Sequence, residues 1–460
     1  MSTSESINLP SNPVSITLSG DKSITHRAFI FAALAEGESR IENVGQGEDL
    51  ASTRRVLASL GVQLRALEED CWSVTGVGGI HGFTPPAHPL DCGNSGTTMR
   101  LMAGLLSGAH FEVTLDGDES LRRRPMRRLQ RILSPLGRSV ECSPTGTAPI
   151  TVGGRLSQGI TATHPKGAPL IIDTESSSAQ LKSAALLAAM TASSPVIVHE
   201  RALSRDHTER MLGALLDHPV RAEMKPLQRP LPAFSLSSPG DPSSAGFWIA
   251  VAALSPPYAP PIFLPHVSLN PTRLGLVRLA QSMGLRIETE ITEERLGEPV
   301  GTLKIYPLKQ GTKLQSIHVS GNASLDALDE LPIVALLGVF AEGTTRVQDA
   351  AELKVKESDR LLAMERGLSS IGARITATSD GWRIEGDPHL CPQGKIQVDS
   401  EGDHRIAMCF LIAQLACPHA EIRVHHAECV QVSYPEFPNL LDTYRDTTQS
   451  HSPSFRSRSI

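Results

Sequence analysis

The sequence predicts an α/β protein of two domains, assembled from six copies of one unit, three to a domain. Three observations carry that expectation. Six times a short small-or-polar stretch runs straight into a long apolar helix, at Ser23, Gly96, Ser178, Ser243, Leu328 and His404, with 65 to 85 residues between successive junctions. Such a period marks repetition of one supersecondary unit. A second series keeps the same step: amphipathic helices end at a glycine, which supplies the positive φ of a C-terminal cap, and turn into a strand. Finally, 460 residues exceed what one hydrophobic core usually holds.

Taken in order, the alternating segment VSITL (14–18) reads as a strand and SGDKSITHRAFIFAALAEG as the first apolar helix. LASLGVQL (57–64), LSPLGRSV (133–140), LAQSMGLRI (279–287) and LSSIGARI (368–375) are glycine-ended helix-to-strand turns. LLDHPVRAE (215–223) fills the same slot with His-Pro, and LACPHAEIRV (415–424) stands as the sixth. PVIVHE (195–200) and RITATSDGWRIEG (374–386) read as strands around Gly, Pro and Asp turns. GDPSSAG (240–246), after a Pro-rich stretch, is the internal boundary. The last fifteen residues, 446–460, lack apolar periodicity and are expected to be disordered.

Composition narrows the function classes. Net charge is −6, which argues against a general nucleic-acid binder, so any basic cluster must be local. Seven cysteines form no CxxC pair and the number is odd, which fits thiols in a reducing compartment. The N-terminus MSTSESINLPSNP has neither the basic nor the apolar region of a secretion signal, and no apolar run reaches membrane-spanning length. The expected location is cytoplasmic.

Helix N-termini offer unpaired N–H groups and a positive dipole end, which suit phosphate and carboxylate. At the first junction Lys22, Ser23 and Arg27 surround the opening turn, with Arg27 four residues after Ser23. GNSGTTMRL (93–101) puts Gly96 at a second start, where glycine permits close backbone approach. In the densest basic segment, DESLRRRPMRRLQRIL (118–133), Pro125 suits a first helical position and would place Arg124 at its entrance. ESSSAQLKSAALLAA (175–189) offers Ser178 and Gln180, and SRDHTERML (204–212) offers Arg205. Each of these, alone, is equally a capped helix with solvated charges. The strongest pair is LDALDELP (325–332) with ELKVKESDRLLAM (352–364), which interleaves Asp329, Lys356, Glu357 and Arg360; GDHRIAMCF (402–410) adds Arg405. Acids among bases can bind anions and still move protons, although a salt-bridged helix face would show the same spacing.

In order, GDKS-x3-R, GN-x-GT-x-MR, RRP, S-A-Q, RDHTE, LDELP, L-x-VKESDR and DHRIAM resemble the enolpyruvyl transferase family, in its branch acting on shikimate 3-phosphate, over about residues 12 to 441. The resemblance implies a two-domain inside-out α/β barrel of six βαβαββ-type repeats. Residues 20–243 would form one domain, 1–19 with 244–445 the other, and 446–460 the tail. It implies transfer of the enolpyruvyl group of phosphoenolpyruvate to the 5-hydroxyl of shikimate 3-phosphate with release of phosphate, by addition and elimination, with no cofactor or metal. Lys22, Ser23, Arg27, Ser178, Gln180, Arg205, Asp329 and Lys356 would hold shikimate 3-phosphate. Lys22, Gly96, Arg124, Gln180, Arg360 and Arg405 would hold phosphoenolpyruvate. Asp329 and Glu357, with Lys22, would be catalytic, Asp329 taking the proton of the attacking hydroxyl and Glu357 moving one at the methylene. The family further suggests a monomer whose domains close on the first substrate.

Two positions depart from the pattern: Val432 stands where many relatives have lysine, and Ala179 replaces the second serine of an S-S-Q form. Both resemble a glyphosate-tolerant branch. Gly96, however, lacks the methyl that narrows the inhibitor pocket there, so glyphosate is expected to compete with phosphoenolpyruvate. The sister transferase acting on UDP-N-acetylglucosamine carries a reactive cysteine where this chain has DGDESLRRRPMRR. A catalytically dead metabolite sensor would have no need of both acids, and a nucleic-acid binder would have aromatics among the arginines.

Overall fold

The computed structural model describes residues 12–154, 168–174 and 177–451. The chain divides into two compact units, each with its own hydrophobic core. The first comprises residues 19–241 with 293–300, and the second comprises residues up to 18, 242–292 and 301 onward.

Helices of the first unit are α1 (Lys22–Leu34), α2 (Glu48–Ser59), α3 (Gly96–Leu106), α4 (Glu119–Arg123), α5 (Arg127–Leu133), α6 (Ala179–Ala189) and α7 (His207–Leu216). Those of the second are α8 (Pro242–Leu254), α9 (Gly275–Ser282), α10 (Asn322–Asp326), α11 (Leu331–Val339), α12 (Arg360–Ser370), α13 (His404–Ala416) and α14 (Phe437–Ser450). The six apolar helices of the sequence are α1, α3, α6, α8, α11 and α13. They are buried along most of their length because they are apolar on nearly every side.

The deep helices α3, α6, α11 and α13 each join two parallel strands, and in the fullest repeats a second helix and an antiparallel hairpin complete the sheet. Leu90–Asp91 pairs parallel with Glu112–Asp116, followed antiparallel by Ile150–Gly153 and then Val140–Cys142. His318–Val319, Gly343–Val347, Trp382–Gly386 and Arg374–Ala377 repeat that order in the second unit. In each unit the first repeat borrows its parallel strand from a distant stretch of chain. Ser235–Ser237 lies on Glu38–Glu42, and Val14–Ser15 lies on Ile262–Ser268. Among the described residues the third repeat keeps one antiparallel strand, Glu223–Met224, and the sixth keeps only the parallel pair Gly394–Asp399 and Ala420–His425.

Three details differ from expectation. The stretch 415–424 is the end of deep helix α13 running into its strand; the sixth amphipathic helix is α14, which follows that strand. Residues 446–450 are helical, because α14 continues to Ser450 with Tyr444 and Thr448 buried, while 452–460 lie outside the described residues. Pro125 is two residues short of α5, whose cap is Met126, and Arg124 instead closes α4 in an extended conformation.

The approach of α3 to α6 depends on small residues. A Cβ on Gly104 would lie 2.5 Å from the Ala184 Cα, so only glycine lets the two axes come this close. That approach brings their N-termini together.

Candidate active site

In the first unit the residues singled out from the sequence sit at the N-terminal ends of α1, α3 and α6, between α4 and α5, and in the loop before α7. Gly20 opens the turn into α1 where a Cβ would stand 2.0 Å from the Asn43 carbonyl oxygen, and the Asp21 carboxylate accepts from the Ile24 N–H as the cap. Lys22 begins the helix with its Nζ 2.6 Å from Asp49 Oδ2. One turn on, Arg27 is buried and donates three bonds: Nη1 to the Ser23 carbonyl (2.8 Å), Nε to Thr208 Oγ1 (2.7 Å) and Nη2 to Ser183 Oγ (2.7 Å). Its guanidinium thus fastens α1 to α6 and α7. Burial first, with Arg205 adding repulsion, lowers its pKa to about 10, so it stays charged at neutral pH.

Ser95 caps α3 and Ser178 caps α6. Gln180 bridges the two ends, donating to Thr97 Oγ1 at 3.0 Å and accepting from Arg100 Nη1 at 2.6 Å. A Cβ on Gly96 would meet Arg100 Nη1 at 2.9 Å and Arg124 Nη1 at 3.3 Å. Both guanidiniums therefore lie over bare backbone at the start of α3. Arg205, half-buried, ends the loop that leads into α7.

The second unit carries the acids. Asp329 lies in a short 3-10 turn, Leu328–Glu330, ahead of α11, while Lys356 and Glu357 precede α12 and Arg360 is its first residue. Arg360 is only 1% exposed and is ringed by carboxylates: Nε to Asp403 Oδ2 at 2.7 Å, Nη2 to Glu357 Oε2 at 2.5 Å, and Nη1 3.6 Å from Asp329 Oδ1. Burial opposes its charge, but Asp403, then Glu357 and Asp329, hold the guanidinium firmly cationic. Asp403 in turn is kept below the usual carboxylate range, because Arg360 and His404 outweigh its desolvation. Lys356 Nζ is 3.4 Å from Asp329 Oδ1. Arg405 donates to the Asp329 carbonyl at 3.0 Å and reaches Glu330 at 3.5 Å. Arg360 Nη1 is buried and makes no hydrogen bond among the described residues, which leaves a donor directed at the Asp329 side.

Asp329, Lys356, Glu357, Arg360 and Arg405 are thus one connected cluster, and the remaining singled-out residues belong to the first unit. Asp49, Arg100 and Asp403 were not singled out by sequence reasoning. Asp403 stood inside the DHRIAM segment and Arg100 inside GN-x-GT-x-MR; Asp49 had no local signal, because only the fold brings α2 against Lys22. Val432 ends a 3-10 turn, Ala427–Val432.

Residues 13–441 match the family described as EPSP synthase (3-phosphoshikimate 1-carboxyvinyltransferase). The chain belongs to the EPSP synthase family. The 3-phosphoshikimate 1-carboxyvinyltransferase of Halorhodospira halophila is 41% identical over 92% of this chain and 91% of its own. That of Syntrophomonas wolfei is 39% identical over 93% and 96%. The solved EPSP synthase of Acinetobacter baumannii superposes with a TM-score of 0.78 at 34% identity, covering 95% of this chain and 97% of that one. The enolpyruvyl transferase NikO of Streptomyces tendae, at 16% identity and a TM-score of 0.68, shares the fold. Against this family the α/β class expected from the repeats holds, and its members' length is matched nearly end to end.

Proposed function

We propose that the protein transfers the enolpyruvyl group of phosphoenolpyruvate to the 5-hydroxyl of shikimate 3-phosphate and releases inorganic phosphate. The observation that carries this reading is the cluster around Arg360, where a buried cation touches both acids that the reaction needs. Arg124, Arg360, Arg405 and the bare backbone of Gly96, with Gln180, cradle phosphoenolpyruvate. Ser23, Arg27, Ser178, Gln180, Arg205, Asp329 and Lys356 hold shikimate 3-phosphate, and Lys22 touches both substrates.

In the addition step Asp329 accepts the proton of the 5-hydroxyl as its oxygen bonds to C2 of phosphoenolpyruvate, and Glu357 delivers a proton to C3. In the elimination Glu357 takes a proton back from C3 as the C–O bond to phosphate breaks and the double bond is regenerated, and the proton held by Asp329 leaves with the phosphate. Fixed cations stabilise the charge that accumulates, and alignment of two bound reactants supplies the remainder. The chain's own acids and bases account for every proton moved.

Glyphosate competes with phosphoenolpyruvate in this reading. The enzyme acts as a monomer in the cytoplasm, and its seven unpaired thiols support a reducing compartment. The test is phosphate release from phosphoenolpyruvate with shikimate 3-phosphate or with UDP-N-acetylglucosamine as acceptor. Release is expected only with the former. Glu357→Gln and Asp329→Ala should each lower kcat by roughly 10²- to 10⁴-fold, the usual worth of general acid–base catalysis. Turnover of the nucleotide sugar, or full activity in both variants, would refute the assignment.

A further inference from the structure

A second group of buried charges lies outside every role assigned so far. Lys182 on α6 is 2% exposed, and its Nζ is 2.8 Å from Glu200 Oε2 and 2.8 Å from Glu209 Oε1. Glu200 ends the strand Val196–Glu200, and Glu209 lies in the first turn of α7. Between them runs the 201–206 loop, which carries Arg205. All three polar groups of Ser204 are taken up by this cluster. Its hydroxyl donates to Glu200 Oε1 at 2.5 Å, its N–H points to Oε2 at 3.4 Å, and its carbonyl accepts from Lys182 Nζ at 3.4 Å. The neighbouring residues Ser183 and Thr208 are the ones that hold Arg27, and their hydroxyls lie 2.7 Å apart.

We propose that Lys182, with Glu200 and Glu209, is a positioning device for the shikimate 3-phosphate subsite: it fixes the Ser204–Arg205 backbone and balances the buried charge around Arg27. This rests on the reading that Arg205 and Arg27 serve that substrate. The pairing supports it. Lys182 and Arg27 are buried cations, Glu209 is a buried carboxylate and Glu200 a nearly buried one, while Asp21 and Glu298, also buried, add negative charge around Arg27. Taking charges out of water is expensive unless each is paired, so the Glu200–Lys182–Glu209 triad is stable only when whole. Losing the lysine leaves the carboxylates uncompensated beside Arg27, where they compete for the cations that should meet the phosphate. Burial resists the charge on both Lys182 and Glu209. On Lys182 it is outweighed by Glu209 and Glu200, which hold the ammonium above its usual range. On Glu209 burial outweighs Lys182 and lifts the carboxyl above the usual carboxylate range, so that without the lysine its charge would cost still more. The structural motif is legible as K-S in SAQLKSA and as E in RDHTE.

The test is calorimetric binding of shikimate 3-phosphate to the full chain, with steady-state kinetics alongside. Lys182→Met should weaken shikimate 3-phosphate binding by roughly tenfold or more. KM for phosphoenolpyruvate and kcat at saturating shikimate 3-phosphate should stay within about threefold. Adding Glu209→Gln to Lys182→Met should recover part of the lost affinity, because one uncompensated charge is then removed, and Lys182→Arg should bind nearly as wild type does. Equal losses in Lys182→Arg and Lys182→Met, or no recovery in the double variant, would show that shape and not charge balance matters and would overturn the proposal. So would a Lys182→Met enzyme that binds normally. Wild-type protein that fails to bind shikimate 3-phosphate at all would instead overturn the functional reading beneath it.

Discussion

Gly96 shows how much a single residue can decide. A methyl group there would lie 2.9 Å from Arg100 Nη1 and 3.3 Å from Arg124 Nη1, the first distance too short for any real Cβ contact. Arg100 is not at liberty to swing aside without cost, since Nη1 donates to Gln180 Oε1 at 2.6 Å. Gly96→Ala must therefore loosen that bond or displace Arg124. A charge-assisted hydrogen bond is worth about 1.5–3 kcal/mol, so KM for phosphoenolpyruvate should rise on the order of 10- to 100-fold. If glyphosate occupies the same cradle, its inhibition constant should rise with it. Competition assays on wild type and variant check both; a wild-type enzyme indifferent to millimolar glyphosate, and unchanged in the variant, would count against a shared site. Gly96 was legible from sequence as a helix start. The arginine that crowds this position was not, because Arg100 and Gln180 lie eighty residues apart and meet only when Gly104 lets α3 and α6 close on each other.

Among the elements, α1, α2 and α3 are joined by a buried polar chain. His26 Nδ1 lies 2.7 Å from Thr53 Oγ1, Thr53 lies 2.6 Å from Thr98 Oγ1, and Thr98 donates to Ser95 Oγ, the cap of α3. Burial, first among the causes, lowers the His26 pKa to about 3. The sign follows from linkage: below about pH 6.5 the unfolded chain protonates this histidine while the folded chain does not, so stability falls as pH drops toward 3. By pH 4.5 the loss is of order 2–3 kcal/mol. Denaturant unfolding of wild type and His26→Gln between pH 7 and 4.5 should show a shallower pH dependence in the variant, whatever its stability at neutral pH. Parallel curves would mean that the histidine takes up its proton without opening the packing. Helix identity at this scale was readable from apolar runs and caps; which polar residue faced which helix was not, since the periodicity of α1 is apolar on nearly every side.

At the scale of the whole chain, the repeats were legible because each carries its own helix signals, whereas strand partners distant in sequence were not. The first parallel strand of the second unit, Val14–Ser15, is separated by nearly the whole first unit from its partner, with Val14 N donating to the Pro261 carbonyl at 2.8 Å and Ile16 N to the Phe263 carbonyl at 2.9 Å. Ile16 and Leu18 are buried in the core built by the last two hundred or so residues, among them Trp248 and Ile262. Removing residues up to 18 therefore damages the far end of the chain more than the segment that begins at 19. Two buried aliphatic side chains and a strand edge are lost together, on the order of 4–6 kcal/mol of local stability. Hydrogen exchange on the shortened chain should show lost protection in Ile262–Ser268 and α8, while α3 and α6 stay protected as in the full-length protein. Loss concentrated in α1 and the Glu38–Glu42 strand would instead assign the N-terminal strand to the nearer unit and contradict the pairing.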